Sequence, residues 1–116
     1  MITTKEQNEE RYAHSRLIAQ SVKKAIDSIG VDSRLLASPT RAREVSYCRM
    51  IYCSIMYQCT QLSFVEIAAP IRITRAAARK AMLTCNDLYE KYDDFRELAD
   101  TIVSLSEEKV TLWLKK

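Results

Sequence analysis

Ser63 to Met82, SFVEIAAPIRITRAAARKAM, gathers the residue types in this chain with the most evident chemistry. Arg75 and Arg79 are four apart and share one helical face, Lys80 follows them, and Arg72 sits in the turn just before. Each guanidinium is a planar fork that can grip a phosphate bidentately or reach O6 and N7 of a guanine. Thr74 stands where an N-cap would accept an early orphan N–H. Ala76 and Ala77 keep the helix slim and can meet a thymine methyl, but they supply no hydrogen-bond code. Upstream, Arg41 and Arg43 lie in a linker, and Arg49 lies at the edge of the helix that follows. Arg49 can hold a phosphate there or pair with Glu44 or Glu66. Six phosphate contacts would make log K fall steeply with log salt, by about 0.9 for each phosphate neutralised. A run of Arg and Ala is also the ordinary pattern of a solvated helix face.

Charge is distributed unevenly around these residues. The net charge is only +3, but residues 34 to 80 hold eight basic side chains against Glu44 and Glu66. Residues 81 to 108 reverse this, with Lys91 and Arg96 against eight acids. A basic middle beside an acidic flank suits a surface that meets a polyanion on one side only. Catalysis finds no such support. His14 is the single histidine, has no acid–nucleophile set near it, and reads as a surface or helix-edge residue. Cys48, Cys53, Cys59 and Cys85 form no C-x-x-C pair and read as buried, reduced thiols rather than zinc ligands. No cofactor, metal or small-molecule substrate is implied. No apolar run approaches the roughly 20 residues of a membrane span, and the polar start lacks the apolar centre of a signal peptide, so a cytoplasmic protein is expected.

The elements that position these residues follow from periodicity. A chain of 116 residues that is 47% hydrophobic and 28% charged has the makings of one domain with a real core. One glycine and two prolines leave few places for β-turns, so an all-α fold of helices on short links is expected. Thr4 and Gln7 have capping-box spacing, and Leu17, Ile18, Val22, Ala25, Ile26 and Ile29 make an apolar face that ends before Gly30. Asp32 or Ser33 can cap a short turn with Leu35 and Leu36, after which Ser38-Pro39 opens the basic linker 38–43. From Glu44, a stripe of Val45, Cys48, Tyr52, Ile55, Cys59 and Leu62 predicts a long helix, widened by Met56. Tyr47 and Tyr57 lie off that stripe, where they can pack or stack on a partner.

Ser63 with Glu66 repeats the capping-box pattern and predicts a two-turn helix through Ala69, with Phe64 and Ile67 inward and Pro70 as its stop. Thr74 then caps a helix whose inner face is Ala77 or Ala78, Ala81, Met82, Cys85, Leu88 and Tyr92. Asp93 and Asp94 favour another start, with Phe95, Leu98, Ile102 and Leu105 inward, and Val110, Trp113 and Leu114 form a last apolar face, a lid or a dimer surface. The organisation is one domain, 1–116: an N-terminal helix over 1–30, a core over 31–92, and C-terminal helices over 93–116.

A short helix, a tight turn and a second helix with basic residues at its start make a helix-turn-helix arrangement, in which the second helix enters the major groove. Arg41-Ala42-Arg43-Glu44-Val45, Arg49, and Leu62-Ser63-Phe64-Val65-Glu66-Ile67 resemble the C-terminal DNA-binding domain of the bacterial replication initiator DnaA. Order and spacing fit without a gap from Arg41 to Ala81, and a weaker likeness spans roughly 18 to 95. The resemblance implies a Trp-repressor-like fold, a basic loop, here Arg41 and Arg43, entering a minor groove, and double-stranded DNA as partner. That family's recognition helix opens with Arg-Asp-His-Thr-Thr, whereas Ile73-Thr74-Arg75-Ala76-Ala77 stands here, so the initiator's binding-site sequence does not carry over. No phosphate-binding G-x-x-x-x-G-K-[ST] loop accompanies the module. Two readings follow. One is a non-enzymatic DNA-binding protein acting in replication initiation, its regulation, or transcription control by a mobile element or phage. The other is a degenerate helix-turn-helix that binds or mimics the replication initiator, or dimerises.

Overall fold

The computed structural model describes residues 4–106, and the side chains of 9 and of 12–106. Six α-helices, and no strand among the described residues, make up the chain: α1 (Thr4–Ser28), α2 (Ser33–Leu36), α3 (Arg43–Cys59), α4 (Phe64–Ala68), α5 (Arg75–Lys91) and α6 (Asp93–Leu105), with a 3₁₀ turn, Ala69–Ile71, after α4. The Thr4–Gln7 cap and the apolar face of Val110, Trp113 and Leu114 lie outside what is described.

Local signals explain the boundaries. The Gly30 N–H donates to the Asp27 carbonyl at 3.0 Å and the Val31 N–H to the Ile26 carbonyl at 3.3 Å, the two bonds of a Schellman ending, with Gly30 at φ 102°. Asp32, rather than Ser33, caps α2 by accepting from the Leu35 N–H at 2.9 Å. Helix α3 starts at Arg43 without a side-chain cap.

Helix α3 is the centre of the molecule, with α1, α2, α4, α5 and α6 all packed on it. The expected stripe along one face is therefore too narrow. Every residue from Ile51 to Met56 is buried, including Ser54, because neighbours surround this segment. Cys53 and Ser54 face Cys85 in the middle of α5, and Tyr47, earlier in α3, packs edge-on against Phe95, just past the end of α5, at 4.9 Å. Helices α3 and α5 therefore run antiparallel.

Three expected core residues lie outside. Leu17 is exposed because α1 buries the narrower set Ser15, Ile18, Val22, Ala25 and Ile26. Tyr92 leaves the helical register at the α5–α6 junction, with φ −121° and ψ 121°. Leu105 ends α6, whose core contacts are Phe95, Ala99, Ile102 and Val103. On α5 the choice between Ala77 and Ala78 resolves to Ala78, which is fully buried.

Candidate nucleic-acid interface

Helix α4 begins with a complete capping box. Ser63 Oγ accepts from the Glu66 N–H at 3.2 Å, and the Ser63 N–H donates to Glu66 Oε1 at 3.0 Å. Pro70 ends α4 as expected, one residue early, by starting the 3₁₀ turn. That turn closes as a second Schellman ending, with the Arg72 N–H on the Ala69 carbonyl at 3.1 Å and the Ile73 N–H on the Ala68 carbonyl at 3.3 Å. The residue in the left-handed position is Arg72, at φ 54° and ψ 43°, the one non-glycine residue with positive φ among those described. Glycine holds the matching place after α1. An L side chain there costs about 1–2 kcal/mol. Ile71 is buried and Ile73 half-buried beside it, so the backbone is anchored while the guanidinium stays exposed.

Thr74 caps α5, with Oγ1 accepting from the Ala77 N–H at 3.0 Å. Its hydroxyl proton remains available for an anion. Ala78, Met82 and Cys85 turn α5 inward, leaving Arg75, Ala76, Ala77, Arg79 and Lys80 exposed. The first turn of α5 holds no acidic residue. Arg75 opens the helix at the positive end of its dipole, where an exposed cation is unfavourable by about 0.3–1 kcal/mol, with Arg72 in the turn just before.

Ion pairs among the described residues lie elsewhere. They join Arg43 to Asp94, Lys91 to Asp87 and Arg96 to Asp93. Arg41, Arg72, Arg75, Arg79 and Lys80 take part in none of them and are all exposed. The cations around the turn therefore have no carboxylate partner there, whereas those near the α5–α6 junction do.

Two of the expected contact residues are placed differently. Arg49 pairs with neither Glu44 nor Glu66, and it does not project outward. Its Nε donates to the Leu36 carbonyl at 2.9 Å, and its terminal nitrogens donate to the carbonyls of Thr40 at 2.7 Å, of Leu35 at 3.1 Å, and of Ser38. The guanidinium is the internal clamp of the basic loop. Orphan loop carbonyls need donors, and the missing helical partners after Leu36 were the signal for this role. Arg43 donates through Nε to the Tyr47 hydroxyl at 3.0 Å and pairs with Asp94, so an incoming phosphate must compete with that carboxylate. Because α3 and α5 are antiparallel, Arg43 lies at the far end of α5 from Arg75. Seventeen residues at 1.5 Å each separate the two ends by about 24 Å. The fold gathers Arg72, Thr74, Arg75, Arg79 and Lys80 at one end and leaves Arg41 and Arg43 at the other.

Other chemistry finds little footing. No group of three or more His, Cys, Asp or Glu residues that could hold a metal occurs among the described residues, and no described helix is long and apolar enough to cross a membrane. Burial pushes the Cys48 thiol up to about 11 and those of Cys53 and Cys85 to about 12, away from nucleophilic reactivity. Comparison with protein-family models, curated proteins and solved structures finds no match to this chain.

Proposed function

We propose that this protein binds double-stranded DNA without catalysis, presenting α4, the turn and α5 as a helix-turn-helix with Arg72, Thr74, Arg75, Arg79 and Lys80 on the phosphates. The observation that carries this reading is the cost of the arrangement. An arginine occupies a left-handed position suited to glycine, and a second, Arg75, opens a helix at the positive end of its dipole with no acid in the first turn. Neither feature helps the fold, and both favour an anion held at that end. Arg41 adds a contact from the loop; Arg49 does not, because its donors are occupied.

Four or five neutralised phosphates give log K a slope of about −3.6 to −4.5 against log salt, a loss of roughly 150- to 500-fold between 50 and 200 mM. Fluorescence anisotropy of random-sequence duplex DNA across that range tests this. The double variant Arg75→Glu, Arg79→Glu should lose binding without unfolding, since both side chains are exposed and an acid at the first helical position favours the helix start. Unchanged binding by that variant refutes the assignment. The resemblance to the replication initiator's domain makes replication or transcription control the process to examine.

A second reading has its own support. Val65 on α4 and Leu83 on α5 are exposed large apolar side chains on the same two helices, and they favour a protein partner such as a replication initiator. A stoichiometric complex in pull-down, lost on Leu83→Glu and insensitive to salt, would establish it.

A further inference from the structure

Helix α1 packs on α3 and α6, while α4 packs on α3 and α5. The gap between α1 and the end of α4 is a cavity of about 510 Å³, within the range of small-molecule sites. Its floor is Tyr52 and Met56, both almost wholly buried. Arg16, Ala19 and Lys23 form the α1 wall, and Glu66 and Pro70 the other.

Tyr52 makes this more than a gap in packing. The side chain is 1% exposed and lines the cavity, yet its hydroxyl has no hydrogen-bond partner among the described residues. That hydroxyl is not among the fully buried polar atoms that lack a partner, so it opens on the cavity rather than into the core. Above the ring, Lys23 Nζ lies 5.8 Å from the centroid. Arg16, also on the wall, takes part in none of the ion pairs among the described residues. Glu66, the one carboxylate on the lining, is engaged by the Ser63 N–H. The cavity therefore offers an apolar floor, one idle O–H and two cations at its edge.

We propose that this cavity binds a small ligand with a flat apolar body and a single anionic group, whose oxygen accepts from the Tyr52 hydroxyl beside Lys23 and Arg16. The apolar body rests on Tyr52 and Met56. The proposal is independent of DNA binding by the opposite wall's continuation into Arg72, and it stands or falls by itself.

The test uses 1-anilinonaphthalene-8-sulfonate as the anionic probe and N-phenyl-1-naphthylamine as its uncharged counterpart, with near-ultraviolet circular dichroism confirming native packing. The sulfonate should bind saturably at one site per chain, at least tenfold more tightly than the uncharged probe. Lys23→Glu should remove that preference. Tyr52→Phe should weaken the sulfonate by about 2- to 10-fold without lowering the melting temperature, because its hydroxyl holds nothing in the free protein. Ala19→Trp should fill the cavity and block both probes; if it fails to fold, Lys23→Glu and Tyr52→Phe decide alone. Equal affinity for the two probes, no saturable binding, or a destabilised Tyr52→Phe with unchanged affinity would overturn the proposal.

Discussion

Replacing Arg72 by glycine separates what the turn needs from what the basic surface needs. Arg72 is at φ 54°, and both hydrogen bonds that close its turn come from backbone N–H groups, so neither depends on the side chain. Relief of the left-handed L residue is worth about 1–2 kcal/mol. Glycine gives back about 0.5–1 kcal/mol in chain entropy on folding. The net is a gain of about 0.5–1 kcal/mol, or about 2–4 °C in melting temperature for a chain of this size. Loss of one phosphate contact should make the salt slope less negative by about 0.9 and weaken duplex binding by about eightfold at 0.1 M salt. Thermal denaturation followed by circular dichroism, with anisotropy titrations on the same preparations, measures both. A lower melting temperature would mean that the guanidinium supports the fold. Unchanged affinity and slope would mean that it faces no phosphate. Either result refutes the argument from cost. Gly30→Ala is the reciprocal measurement: nothing lies within 4 Å of the added Cβ, so any loss of stability reports the backbone conformation itself.

Arg49→Met should destabilise the protein by about 2–4 kcal/mol, because it strips donors from the carbonyls of Leu35, Leu36, Ser38 and Thr40; urea denaturation checks this, and Arg49→Lys should not rescue it, since one ammonium cannot replace the fork. The thiols predict alkaline instability. Their folded values lie above the ordinary 9.0, so their contribution is full below pH 9 and is lost as pH rises through about 11 for Cys48 and about 12 for Cys53 and Cys85. Between pH 8 and 10 each thiol should remove roughly 1 kcal/mol of stability, and urea midpoints at those two values should differ accordingly; equal midpoints would contradict the burial. Ser63→Ala should cost about 1 kcal/mol through loss of the capping box, read as a lower melting temperature.

Much of the fold was legible along the chain because its determinants are local. A capping hydroxyl acts within three residues, and a proline restricts its immediate neighbours. Ser63 with Glu66, Pro70, Thr74 and Gly30 therefore mark element boundaries correctly. Apolar spacing also identified most of the buried faces of α3 and α5. It failed where burial depends on how many neighbours a helix has. Periodicity assigns one inner face, but α3 is buried on every side from Ile51 to Met56, and Leu17, Tyr92 and Leu105 are left exposed.

The sequence by itself determined the helical class, the caps and the order of the basic residues, since each follows from interactions spanning a few positions. Only the tertiary structure decided what those basic residues face. Arg49 is drawn inward by carbonyls up to fourteen residues away, and Arg43 is met by an aspartate fifty-one residues later. Arg72, Arg75, Arg79 and Lys80 stay exposed and take part in none of the ion pairs among the described residues. Identical guanidinium groups thus become clamp, ion pair or open donor according to which distant polar atoms the packing of α3, α5 and α6 brings within about 3 Å.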